Sequence, residues 1–289
     1  MPERAMKRRE FLARSVAVLA GTFLGVNGLA SAFASDTKGS SASSRSARIA
    51  LIIDDIGFSI PRARQFLDLD VPITFSILPK LHHSHELADE IHRQGHEIML
   101  HQPMEPYDRF LNPGPGALFV GDDEAKIARI MTENLSELPH AYGVNNHMGS
   151  RFTSCPRETG DALGVLRGSG LFFVDSLTSG RSVVGETARR LKVPAASRHL
   201  FLDHYLGEEP TLFALDRLRI CALKRGSAIG IGHPFPETAR AIGRFARVLR
   251  ESDISLVYVS NLIPHSHKGN YPQITQMNTD DVYSGSTPF

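Results

Sequence analysis

The sequence contains no tryptophan and only two cysteines, Cys155 and Cys221, among its 289 residues. Without a Cys-x-x-Cys pair, a cysteine-built zinc site is excluded. Two isolated thiols in a chain this long are read as unpaired and buried rather than as a staple. Any aromatic platform for a ligand has to be made of Phe or Tyr. Gly-x-Gly-x-x-Gly and Gly-x-x-x-x-Gly-Lys strings are both missing, which removes the dinucleotide and P-loop readings. No internal repeat is visible. A dominant charge is also lacking: the whole chain carries +1, and taking away residues 1–34 leaves 27 basic against 29 acidic residues, about −2. Such a balance gives no electrostatic footprint for nucleic acid or for an anionic membrane surface.

Long apolar runs are scarce. The one extended stretch, Ala13 to Ala30, is interrupted by Arg14, Gly21, Gly25 and Asn27, too weak for a stable membrane anchor. It follows Lys7-Arg8-Arg9-Glu10-Phe11-Leu12 and precedes Ala32-Phe33-Ala34. A basic start, an apolar middle and an Ala-x-Ala end predict a cleaved export signal over residues 1–34. The arginine pair followed by Phe-Leu resembles the twin-arginine class, which implies the twin-arginine export machinery as a partner and a periplasmic mature protein. Residues 35–47 read as a polar, Ser-rich linker. Residues 264–289, rich in Asn, Gly, Ser, Thr and Pro, read as a disordered tail.

Between these ends, residues 48–263 alternate short apolar runs with helical stretches. The runs are Ile49–Ile53, Ile73–Leu78, Glu97–Leu100, Gly143-Val144, Leu171–Val174, Leu200–Leu202, Ala228–Ile231 and Ser255–Val259. The helical stretches are Ser84–Gln94, Asp123–Leu138, Glu158–Arg167, Val183–Leu191, Thr211–Arg225 and Pro236–Glu251, several with Gly or Pro just beyond the end. Runs apolar on both faces suit buried parallel strands. The expected fold is α/β, a distorted parallel (β/α) barrel of about seven strands.

The ionisable residues fall where such a barrel gathers its chemistry. Asp54 and Asp55 end the first run, and His101 ends the third. His147 closely follows Gly143-Val144, Asp175 ends Leu171–Val174, and His233 follows Ala228–Ile231. Strand ends on the C-terminal face of a barrel converge on one mouth. Neutral imidazoles with a carboxylate are ligands for zinc or a similar divalent ion. A further carboxylate can then act as base and a further His as acid, with Asp175 expected to orient that imidazole. Asn145, Asn146 and Ser150 are candidates for contacting substrate or orienting His147. The His82-His83-Ser84-His85 cluster reads instead as a solvated helix entrance.

Four strings carry a resemblance. Ile53-Asp54-Asp55-Ile56-Gly57 looks like the first motif of polysaccharide deacetylases, and Gly95-His96-Glu97-Ile98-Met99-Leu100-His101 is similar to their second. Gly143-Val144-Asn145-Asn146-His147-Met148-Gly149-Ser150, with His101-Gln102-Pro103-Met104-Glu105-Pro106, resembles the divergent polysaccharide deacetylase family in particular. The resemblance implies Asp54 as base, Asp55 and His101 as metal ligands, and His233 as acid with Asp175 behind it. It also implies a divalent metal, most simply zinc, and an acetylated amino-sugar polymer or oligomer as substrate, with hydrolysis of the amide C–N bond. The chain departs from the ordinary branch in having Glu105 where a His stands there, and in lacking an arginine-proline third motif. His147 is taken as the third ligand, because imidazole suits zinc; Glu105 is the alternative, as a ligand or as a group holding one. Those departures also suit a non-catalytic carbohydrate-binding or envelope-scaffold protein. The shared acyl chemistry equally allows a metal amidase or esterase acting on a non-sugar substrate.

Overall fold

The computed structural model describes residues 46–263. The expected export signal, nearly all of the expected linker and the expected tail lie outside the described residues. Nine strands form one parallel sheet: β1 (Ala47–Ile56), β2 (Thr74–Ile77), β3 (Glu97–Met104), β4 (Ala141–Met148), β5 (Phe172–Asp175), β6 (Ala195–Ser197), β7 (Leu200–Phe201), β8 (Ser227–Gly232) and β9 (Ile254–Val257). Seven helices connect them: α1 (Ile60–Leu67), α2 (Ser84–Arg93), α3 (Glu124–Ser136), α4 (Pro156–Val165), α5 (Val184–Leu191), α6 (Glu208–Arg225) and α7 (Pro236–Leu249). Among the described residues no helix is long and apolar enough to cross a membrane.

The strand order is β6-β5-β4-β3-β2-β1-β8-β7, with β9 on β1. Its two ends belong to one extended segment, since β6 pairs with β5 and β7 with β8, two residues apart. The sheet therefore curls back on itself as a distorted barrel. The expected count of about seven strands is corrected to nine. β6, three residues long, matches none of the apolar runs, and β7 is only the first two residues of the Leu200–Leu202 run. β1 begins at Ala47, one residue before the expected position 48, and Ala47 is buried.

Strand alternation divides the apolar residues into two layers. Ile49, Leu51 and Ile53 of β1, Phe75 and Ile77 of β2, and Phe173 of β5 join the helix residues in the outer core. Ala50, Ile52, Met99, Phe172, Val174, Ile229 and Ile231 fill the barrel interior, closed below by Val259 and Ile263. Glu97, buried at this lower end, accepts from Thr74 Oγ1 at 2.9 Å and from the Ser260 amide at 3.2 Å, tying the C-terminal turn to the sheet. Apolar side chains occupy the floor, so what closes the upper mouth is set by the next inward position of each strand.

Candidate metal centre and acid–base site

Inward parity places Asp54 one step above Ile52, His101 above Met99, and His233 above Ile231. Asp55, its neighbour, should face outward toward the helices. It does not, because β1 carries a bulge: Ile53 pairs with Phe75 but Ile56 with Ile77, three residues advancing against two. A bulge re-aims the side chain beside it. Here Asp55 takes φ 58°, the left-handed region that Asp tolerates better than most residues at a cost on the order of 1 kcal/mol. Both adjacent carboxylates consequently serve the mouth. On β4 a second irregularity, between Ala141 and Gly143, sets the parity that brings Asn145 and His147 inward beside His101 and Pro103. Gly149 follows with φ 79°, and a Cβ there would lie 2.9 Å from that of Met104, as expected of a glycine admitting close backbone approach.

Asp55, His101 and His147 each offer one ligand atom, all within 4.8 Å of one another. Asp55 Oδ1 lies 2.9 Å from His147 Nδ1 and 3.2 Å from His101 Nε2, and the two nitrogens are 3.2 Å apart. Around a tetrahedral zinc with bonds of about 2.0 Å, ligand atoms stand about 3.3 Å apart. Asp55 Oδ1 is buried, yet neither ring is aligned to donate to it, and it has no hydrogen-bond partner. An orphaned carboxylate oxygen facing two imidazole nitrogens is the arrangement a divalent cation satisfies.

The tautomer agrees. Asn145, fully buried, donates through Nδ2 to Asp54 Oδ1 at 2.8 Å, so its Oδ1 faces His101 Nδ1 at 2.7 Å and also accepts from Ser76 Oγ. His101 Nδ1 therefore carries the proton, and Nε2 keeps a lone pair for the ligand cluster. Burial pushes the Asp54 carboxyl above its ordinary range, opposed by the charges of His101 and His233 and by the Asn145 bond. Burial acts on Asp55 in the same direction, but its contacts with His101 and His147 outweigh that and hold it well below the usual carboxylate range.

His233 stands across from Asp54, one residue beyond the Ile53–Gly232 pair. Its Nδ1 lies 2.8 Å from Asp203 Oδ1, while Asp203 Oδ2 accepts from the His233 amide at 2.6 Å and from Thr238 Oγ1 at 2.9 Å. Burial lowers the imidazole, but the Asp203 hydrogen bond and charge, helped by Asp54 and Asp55, raise it to about 9. The Phe201 ring stacks at 5.9 Å from that of His233, and Arg198 Cζ sits 3.6 Å over the same Phe201 ring.

Several expected roles are corrected by this geometry. Asp175 is not the carboxylate behind His233. Phe172 and Val174 point into the barrel, so Asp175 shares the outward parity of Phe173 and accepts from Ser182 Oγ (2.7 Å) and the Leu177 amide (2.9 Å). Asp203 takes that place. It ends the Leu200–Leu202 run, so the strand-end rule that picked the others also pointed to it. Glu105 is neither a ligand nor a prop for one: it pairs with Arg151 at 2.5 Å and accepts from the Val120 amide at 2.8 Å, pinning the loop after β3. Asn145 holds His101 and Asp54 rather than substrate. Asn146, equally buried, accepts from the Ser176 amide at 2.9 Å and donates to Met148 O at 2.8 Å. Ser150 Oγ accepts from the Tyr107 amide at 3.0 Å. His83 precedes α2 as its N-terminal flanking residue, in keeping with a helix entrance.

A parallel barrel with an Asp-His-His cluster at its C-terminal mouth, flanked by a buried Asp and an Asp-held His, defines a class built like the carbohydrate deacetylases. The family model described as divergent polysaccharide deacetylase matches residues 51–263. The chain belongs to that family. It is 32% identical over 228 residues to the Escherichia coli protein YibQ, covering 78% of this chain and 69% of that one, and 32% identical over 215 residues to a Haemophilus influenzae protein, covering 74% and 76%. Both relatives are described as uncharacterized. The crystal structure of the uncharacterized protein ATU2773 from Agrobacterium tumefaciens superposes with TM-score 0.70 at 28% identity, over 76% of this chain and 91% of that one.

Proposed function

We propose that this chain is a metal-dependent hydrolase that removes acetyl groups from an N-acetylated envelope carbohydrate, acting outside the cytoplasm after export by the twin-arginine route. The observation that carries this reading is the convergence of Asp55, His101 and His147 between Asp54 on one side and His233 on the other. Those three residues would hold a divalent ion, zinc by its donor set, which would supply Lewis acidity toward the acyl carbonyl and a positive charge favouring ionised Asp54. Asp54, fixed by Asn145, takes a proton from the attacking water. His233, kept protonated against the effect of burial by its bond to Asp203, donates a proton to the sugar nitrogen as the C–N bond breaks, releasing acetate and a free amine. Asp203 keeps Nδ1 of His233 protonated and leaves Nε2 to make the transfer.

The test is to load the protein with zinc, cobalt, nickel or manganese and assay acetate release from acetylated oligosaccharides, peptidoglycan fragments and simple acetyl esters side by side. Asp54→Asn is expected to abolish turnover while the metal stays bound. A variant as active as the parent removes Asp54 from the mechanism. A chain that never takes up a divalent ion removes the hydrolase reading itself.

A further inference from the structure

Beside Asp55 and His233 the mouth opens into a cavity of about 220 Å³ whose walls include Phe58, Ser59, Arg62 and Phe235. None of these four was singled out by the sequence motifs. The volume suits one sugar ring rather than a stretch of polymer. Phe58 is 65% exposed, so its ring is open to a ligand in the cavity. With Phe235 it offers the aromatic surface that the missing tryptophans cannot.

Arg62 gives the cavity its polarity. The surrounding arginines are committed: Arg64 to Glu90, Arg240 to Glu208 and Glu237, and Arg244 to Glu208 and Glu209. Arg62 is exposed and makes no ion pair among the described residues. Glu237 is near enough to sense its charge, but the Glu237 carboxylate is held by Arg240 at 2.9 Å. Two helices also begin at this wall. α1 starts behind Ser59 and α7 behind Phe235, and neither has a side-chain cap, so their positive ends add to the field of Arg62. The cavity thus has the candidate metal ligand Asp55 and His233 at its inner end and a cationic outer rim.

We propose that this cavity selects an acetylated sugar ring bearing a carboxylate, with the ring against Phe58 and Phe235 and the carboxylate on Arg62. This rests on the deacetylase reading for the fate of the acetyl group, though not for the binding. A bidentate arginine–carboxylate pair fixes the orientation of the ring. With the carboxylate held at the Arg62 rim, the opposite side of the ring and its acetamide are left toward Asp55 and His233 at the inner end.

The experiment compares an N-acetylmuramic acid glycoside with its methyl ester, which keeps the ring and the acetamide but loses the charge. Binding is measured by calorimetry on the metal-loaded full chain in the Asp54→Asn background, and acetate release on the chain with Asp54 intact. The acid is expected to bind at least ~10-fold tighter than the ester, the scale of one charge-assisted hydrogen bond. Arg62→Met should bring the ratio to about one, and Arg62→Lys should keep part of it, since a lysine preserves charge without the fork. Arg62 is solvent-exposed, so neither substitution disturbs the fold. Equal binding of acid and ester, no binding of either, or a preference surviving Arg62→Met would overturn the proposal. Selective binding without acetate release from either compound sinks the deacetylase reading and leaves the anion site standing. Equal release and equal binding do the reverse.

Discussion

Replacing Asp203 with Asn tests how the acid is held. In the parent, His233 is lifted from 6.5 to about 9, which at 1.36 kcal/mol per pKa unit is roughly 3 kcal/mol of preference for the imidazolium. Burial works against that preference, so the three carboxylates together, Asp203 foremost and then Asp54 and Asp55, have to supply more than the net. The Asn variant keeps the shape but loses the charge, and only the more distant carboxylates still favour the proton. The His233 midpoint is expected to fall by at least about one unit, read by NMR titration of labelled histidine in chelator-treated protein. Stability follows the same linkage. A raised histidine contributes its full stabilisation below pH 6.5 and loses it as pH rises through about 9. The parent should therefore lose stability across that window, and the variant should lose less. In the metal-loaded enzyme the alkaline limb of kcat, where His233 gives up its proton, should move to lower pH in the variant. A midpoint that stays in place after Asp203→Asn refutes the assignment of Asp203 as the group that holds the proton.

Asn145→Leu removes the acceptor that fixes His101 and the donor on Asp54, and is expected to weaken metal binding by about 10- to 100-fold in chelator competition; unchanged affinity would show that Asn145 does not orient His101. Metal at 100 times its Kd should raise stability by about 2.7 kcal/mol, seen as a thermal-unfolding shift of several degrees that vanishes in His147→Ala; a shift that survives that substitution places the ion elsewhere. Gly149→Ala forces a Cβ against Met104 at positive φ and should cost on the order of 1–3 kcal/mol in urea unfolding; a neutral result would mean that the turn relaxes freely.

Much of this arrangement is legible in the sequence because barrels expose their chemistry at strand ends. Eight of the nine strands announce themselves as apolar runs, and the ends of five of those runs identify candidates without any knowledge of contacts. Parity is what the reading does not supply. Asp175 and Asp203 both end an apolar run, and nothing in their local sequence says that the first points outward and the second inward. That distinction comes from the layer in which their neighbours, Phe173 and Phe201, are packed. β6 escaped notice because Ala195-Ala196-Ser197 has neither an apolar run nor β-branched residues. α1 is absent from the expected helical stretches; it is only eight residues long, with Pro at its first turn, where it costs nothing. Glu105 looked like a ligand by position in its motif. Its real partners, Arg151 and the Val120 amide, are too distant in sequence to foresee.

The site depends on two departures from strand regularity, and both fall on strands that supply ligands. Without the bulge in β1, Asp54 and Asp55 would face opposite sides of the sheet, leaving one carboxylate at the mouth where two roles need filling. Without the shift near the start of β4, the inward position would pass from Asn145 and His147 to Asn146 and Met148. Left-handed backbone at Asp55 and Met148 is tolerable because Ile53, Ile56, Met104 and Val144 around them are almost completely buried, and loss of that packing would cost more than the strain. The same geometry leaves Asp55 Oδ1 buried without a hydrogen-bond donor, a cost that folding alone does not recover. A barrel optimised only for stability has no use for that combination of bulge, strain and orphaned oxygen; a barrel that must present three lone pairs to one cation does.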